Sequence, residues 1–238
     1  MCGIAGFFGT RPVAPQTRRD MLAALASRGP DAAHETAWSG AQPAAPGEAA
    51  TAALLHARLS IRDPRPAADQ PMASDDGQVW LCYNGEVYGW EEEAAALAAK
   101  GAVFRTRSDT EFILRAYEAW GFPALLDHLR GMFALAILDR RLGKVFLARD
   151  RMGLKPLVYG LRADGLAFGS TVRAVLPWLP PEERRFSPDA IDAYLAHRYV
   201  PAPHTIFGAL QRLENAHCII YDLASGRLEK SCYWTLPA

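Results

Sequence analysis

Neither sign of charge is in excess: Lys plus Arg number 26 and Asp plus Glu number 26, a formal net charge of zero at pH 7. Binders of nucleic acid or of anionic membranes carry a basic footprint, so this balance sets both aside and leaves a small molecule or another protein as partner. Long apolar runs are lacking as well. No basic stretch leads into an apolar one at the N-terminus, and the longest apolar runs elsewhere are strand-sized. A signal peptide and a membrane helix are therefore not expected, and the reading is a soluble, cytoplasmic protein. Cysteine is sparse: Cys2, Cys82, Cys218 and Cys232 form no C-x-x-C pair, so neither a metal site nor a disulfide framework is expected. Also missing are G-x-S-x-G, a P-loop, H-E-x-x-H and G-x-G-x-x-G, the signatures of common hydrolases and nucleotide binders.

What is present is a core-forming composition, with half of the residues hydrophobic and 22% charged. Apolar runs at Ile4 to Phe8, Phe133 to Leu138, Lys144 to Ala148, Leu157 to Tyr159, Leu166 to Phe168, Cys218 to Tyr221 and Leu228 to Tyr233 read as strands. Helical spacing predicts helices at Gln16 to Ala26, Glu91 to Lys100, Thr110 to Trp120, Val172 to Trp178 and Pro188 to His197. Leu55 to Arg62 alternates, with Leu55, Ala57, Leu59 and Ile61 on one face and His56, Arg58, Ser60 and Arg62 on the other. Val79 to Tyr88 reads as two strands around Asn84-Gly85, the leading two-residue hairpin signal. Many short strands with a few long helices predict a layered α+β fold. The polar, proline-containing stretch Leu179 to Arg185 suggests a boundary, giving residues 1–185 as one domain and 186–238 as its C-terminal extension.

A cysteine next to the initiator methionine poses a chemical question. If Met1 is removed, Cys2 gains a free α-amine whose ordinary pKa of about 7.7 to 8.0 lets it accept a thiol proton without any histidine. One residue then supplies nucleophile and base. The plainer reading is a small apolar residue starting a buried strand. Asn84-Gly85 is equally two-sided, a turn signal or two donors, one amide side chain and one uncovered N–H, for an oxyanion. Ser108 and Glu111 fit a capping box, which leaves Asp109 either an ordinary acidic first-turn residue or a partner for a ligand ammonium group. Arg58 is either solvated on the polar face of its strand or able to pair a carboxylate.

Taken together, "MCGIAG", "RGPD" (Arg28 to Asp31), "LHARLSI" (Leu55 to Ile61), "QPM" (Gln70 to Met72), "YNGEVY" (Tyr83 to Tyr88), "SDTE" (Ser108 to Glu111), "RGMFALAILD" (Arg130 to Asp139) and "RDRMGLKPLVY" (Arg149 to Tyr159) occur in one order and spacing. In this the chain closely resembles the N-terminal glutaminase domain of the glutamine-dependent asparagine synthetases, a class II glutamine amidotransferase with the N-terminal-nucleophile hydrolase fold. The likeness runs from Cys2 to Trp234. It implies a four-layer αββα sandwich and L-glutamine as substrate. Cys2 would form a γ-glutamyl thioester, with Asn84 and Gly85 as oxyanion donors. Arg58 would grip the α-carboxylate, Glu86 and Asp109 the α-ammonium, and the backbone near Ile61 would help. A catalytically silent glutamine-sensing or docking module is the reading from a different class.

The resemblance also implies a synthetase domain with a Ser-Gly-Gly-x-Asp-Ser phosphate loop, which this sequence lacks. ATP and Mg are therefore expected only in a synthetase domain supplied in cis or in trans, with no cofactor in this chain. The resemblance further implies either a homodimer through this domain or action as part of one larger chain. Four places depart from the family pattern: Ser27, Arg62 where an aliphatic residue is usual, Phe168 to Leu176, and Leu213 to His217.

Overall fold

Residues 2–236 are described by a computed structural model; the expected loss of Met1 and the outermost domain bounds concern residues outside that range. The chain opens with β1 (Gly3–Val13), α1 (Pro15–Ala23), β2 (Ala32–Ser39), β3 (Gln42–Pro43) and β4 (Ala50–Arg58). It continues with β5 (Met72–Ala73), β6 (Val79–Val87), α2 (Glu91–Ala99), α3 (Asp109–Trp120), α4 (Phe122–His128), β7 (Gly131–Asp139) and β8 (Lys144–Arg149). Then come β9 (Val158–Arg162), β10 (Gly165–Gly169), α5 (Val172–Val175), α6 (Pro188–His197), β11 (Gln211–Arg212), β12 (His217–Asp222) and β13 (Leu228–Cys232).

The strands form two antiparallel sheets, in the orders β11-β9-β10-β1-β4-β2-β3 and β13-β12-β8-β7-β6-β5. Alternation along β7 shows how they stack. Phe133, Leu135 and Ile137 pack with Phe112 and Ile113 of α3, while Ala134, Ala136 and Leu138 face Ile4, Phe8 and Leu54 of the other sheet. Outside that sheet, Ala5, Phe7 and Leu55 pack with Met21 of α1 and Val175 of α5. The layers are thus helix, sheet, sheet, helix, the sandwich that was expected. Each large apolar side chain buried in them contributes about 1.5 to 3 kcal/mol. Residues beyond 186 are woven into both sheets, β11 beside β9 and β12 beside β8. Among the described residues no helix is long and apolar enough to cross a membrane.

Three local expectations are corrected. Asn84-Gly85 does not turn a hairpin: β6 runs unbroken through both, in register with Ala134 and Phe133 of β7. Neither residue has the positive φ that a two-residue hairpin turn needs. Gly85 is required for another reason, since a Cβ there would lie 2.3 Å from the Met132 carbonyl oxygen. Secondly, the alternating stretch outlasts its strand. β4 ends at Arg58, and Leu59 to Arg62 form a loop in which Ile61 is 75% exposed. Within β4 the "polar" face is buried between the sheets; the His56 ring is wholly enclosed and its pKa is pushed down to about 4 by burial. Thirdly, the capping box is half formed. Ser108 Oγ accepts from the Glu111 N–H at 3.2 Å, but the Glu111 carboxylate reaches past Ser108 to the N–H groups of Arg105 and Thr106. Helix α4 had no counterpart in the sequence reading.

Candidate active site

Several chain segments meet at one cavity of about 140 Å³, among them the residue before β1, the end of β4 with its following loop, the end of β6, and the start of α3. Cys2, Arg58, Ile61, Asn84, Gly85, Glu86 and Asp109 all line it. The seven residues expected at the site are thus placed around a single cavity. Pairing accounts for it: β1 and β4 are neighbours, with Gly3 opposite Ala57, while β6 belongs to the facing sheet and ends over the same corner.

Cys2 is firmly placed. Its Sγ accepts from the Leu59 N–H at 3.4 Å and lies 3.7 Å from the Leu59 carbonyl oxygen, to which it can donate. Its carbonyl accepts from Arg28 Nε at 3.1 Å. Two residues on, the Ile4 N–H donates to Ser170 Oγ at 3.0 Å and the Ser170 N–H returns a bond to the Ile4 carbonyl at 2.8 Å. The stretch from Cys2 to Ile4 is therefore held in place.

Asn84 is almost fully buried, yet among the described residues its Nδ2 has no hydrogen-bond partner. An unsatisfied buried donor costs about 1 to 3 kcal/mol. A buried donor of this kind, lining the same cavity as Cys2, is available to an acceptor that enters the cavity. Gly85 follows it along β6, where the glycine lets the backbone approach Met132 closely.

The other end of the cavity is charged. The Arg58 guanidinium is buried, ion-paired to Asp69, and donates to the carbonyls of Asp63 and Arg65 at 2.5 and 3.1 Å. A bound carboxylate would share it with Asp69. Asp109 Oδ2 accepts from the Tyr83 hydroxyl at 2.8 Å and the Val87 N–H at 3.0 Å. Burial pushes the Asp109 carboxyl above its ordinary range, against those two bonds and the nearby charge of Arg62. Glu86 Oε1 accepts from Arg62 Nη2 at 2.8 Å.

Two cations near Cys2 escaped the sequence reading. Lys155 is buried, lines the cavity, and has its ammonium pushed down by burial and by the Arg28 guanidinium. Arg28 itself is pushed down by burial. The available signal was a lysine and an arginine inside motifs that were quoted only for recognition, "GLKP" and "RGPD". Both bring positive charge to the surroundings of Cys2.

Residues 1–234 match the family model described as a glutamine amidotransferase domain. Among curated proteins the chain is similar to asparagine synthetase [glutamine-hydrolyzing] 2 of Bacillus subtilis, 30% identical over 99% of this chain and 31% of that protein. It is also similar to asparagine synthetase [glutamine-hydrolyzing] 2 of Oryza sativa, 37% identical over 74% of this chain and 28% of that protein. It spans less than half the length of the curated relatives it matches. Among solved structures, glutamine phosphoribosylpyrophosphate amidotransferase from Bacillus subtilis superposes with a TM-score of 0.72 at 19% identity, covering 99% of this chain and 50% of that one. That last likeness concerns the fold.

Proposed function

Because this chain belongs to the glutamine amidotransferase domain family, we propose that it hydrolyses L-glutamine through a γ-glutamyl thioester on Cys2, for an asparagine synthetase-type amidation. The ammonia would go to a synthetase domain in cis or in trans, where ATP and Mg would be used. Once Met1 is removed, the α-amine of Cys2 takes the thiol proton as Sγ attacks the side-chain amide carbon. The oxyanion so formed sits between Asn84 Nδ2 and the Gly85 N–H. The α-ammonium then returns the proton to the leaving nitrogen, the C–N bond breaks, and ammonia departs. Water attacks the thioester by the reverse use of the same amine, giving glutamate and free thiol.

What supports this reading above all is the buried, partnerless amide nitrogen of Asn84 in the cavity that Cys2 enters. Arg58 at one side and Glu86 with Asp109 at the other would hold the two α-groups, so that the amide carbon meets the thiol in a fixed orientation.

The direct test is glutamate release by purified protein whose intact mass is known. Protein lacking Met1 is expected to turn over, and protein retaining it to be slower by about 10² or more, the usual worth of a positioned base. Equal rates in the two forms would remove the α-amine as the base.

A pH dependence follows from Asp109. Its pKa is raised by burial, and only the ionised carboxylate attracts an ammonium group. As pH falls through that raised pKa the charge is lost, so KM for glutamine should climb on the acid side at a higher pH than for an exposed aspartate. Steady-state KM measured against pH checks this, and Asp109→Asn should show a high KM with that limb absent.

A further inference from the structure

The ammonium end of the cavity already contains a cation. Arg62 Nη2 and Nε both donate to Glu86 Oε1, at 2.8 and 3.1 Å, and both residues line the cavity. The acids that face this guanidinium are Glu86, Asp109 and Glu91. Their pair is more than a third open to solvent, 39% for Arg62 and 35% for Glu86. It is therefore weak enough to be exchanged for a ligand and strong enough to satisfy Glu86 when no ligand does so.

We propose that Arg62 is a specificity-determining residue that relaxes the demand for an α-amino group on the substrate. A site built to bind a polar group rejects analogues lacking it, because its own partners are then left unpaired. Arg62 cancels that penalty: with no ammonium present, Glu86 keeps its bond to the guanidinium. When an ammonium does arrive it must compete with Arg62 for the same carboxylate, so glutamine gains less from its α-amino group than two carboxylates would otherwise give. Acyclic primary amides with a distal carboxylate, and no amino group, are the ligand class admitted.

The inference rests on the cavity being a glutamine site, so its test reads binding separately from turnover. Calorimetry on the Cys2→Ala protein would compare glutamine with 4-carbamoylbutanoate, its deamino analogue, with and without Arg62→Leu. The leucine variant is expected to bind glutamine more tightly and the analogue more weakly, each by about two- to fivefold, so that the ratio of affinities rises about fourfold or more. Arg62→Lys, which keeps the charge without the fork, should fall between. An unchanged or reduced ratio in Arg62→Leu overturns the proposal. Glutamine binding with no hydrolysis by the protein with Cys2 intact would instead overturn the catalytic reading, and the affinity ratio would still decide this one. Since Arg62 is exposed and lies in a loop, equal thermal midpoints of the variants are the expected control.

Discussion

Replacement of Cys2 by alanine should abolish glutamate release while leaving glutamine bound. The thiol is the atom that would form the new bond; among the described residues lining the cavity there is no histidine and no second cysteine to take over, and Ser108, the one serine there, uses its hydroxyl to cap α3. Loss of a nucleophile from a working set is expected to lower kcat by about 10⁴-fold or more. Binding should change little, because the proposed grips on substrate are Arg58, Glu86 and Asp109, and Cys2 Sγ touches only the Leu59 backbone among the bonds described. The measurement is glutamate release alongside a calorimetric Kd. A variant that keeps kcat within tenfold of the parent would end the case for a covalent route, and one that loses glutamine binding as well would point to a structural cysteine.

Asn84→Ala tests the donor, and its outcome separates catalysis from architecture. If Nδ2 is reserved for the oxyanion, its loss should lower kcat by about 10² to 10³-fold and leave KM within a few-fold. Stability gives the second arm. Most buried polar side chains hold the fold together, and their removal is destabilising because a partner is stranded. Asn84 Nδ2 has no partner to strand, so removing it relieves an unsatisfied donor at the cost of a small void. The thermal midpoint is expected to stay level or rise. A fall of several degrees with kcat preserved would make Asn84 a structural residue. Two-sided outcomes of this kind are what a functional group maintained at the expense of stability should give.

Much of the fold was legible because it rests on local period. The apolar runs of β7 and β8 and the helical spacing of α6 appear in the structure within a residue or two of where the sequence placed them. What failed did so where a distant partner decided. Asn84-Gly85 has the composition of a turn, but pairing with β7 from Val79 to Val87 holds it extended. The alternation from Leu55 to Arg62 carries no mark of where β4 loses its neighbours; Arg58 is the last residue opposite β2. Helix α4, with Gly121 at its start and Pro123 in its first turn, offered signals that suit a loop equally well.

The site divides in the same way. Residue types and spacing offered Cys2, Asn84, Gly85, Arg58 and Asp109 as two-sided candidates, and the resemblance supplied their expected roles and added Glu86 and Ile61. Only the tertiary structure decided which groups are already engaged: that Asn84 Nδ2 is left without a partner among the described residues, that Arg58 is tied to Asp69, that Lys155 is buried in the cavity that Cys2 lines, and that Arg62 occupies Glu86. A sequence lists the donors and acceptors a chain owns, and strand periodicity says which face they take. Satisfaction, burial and charge balance are sums over neighbours from β1, β4, β6 and α3, and they acquire values only when the two sheets stack and close that corner.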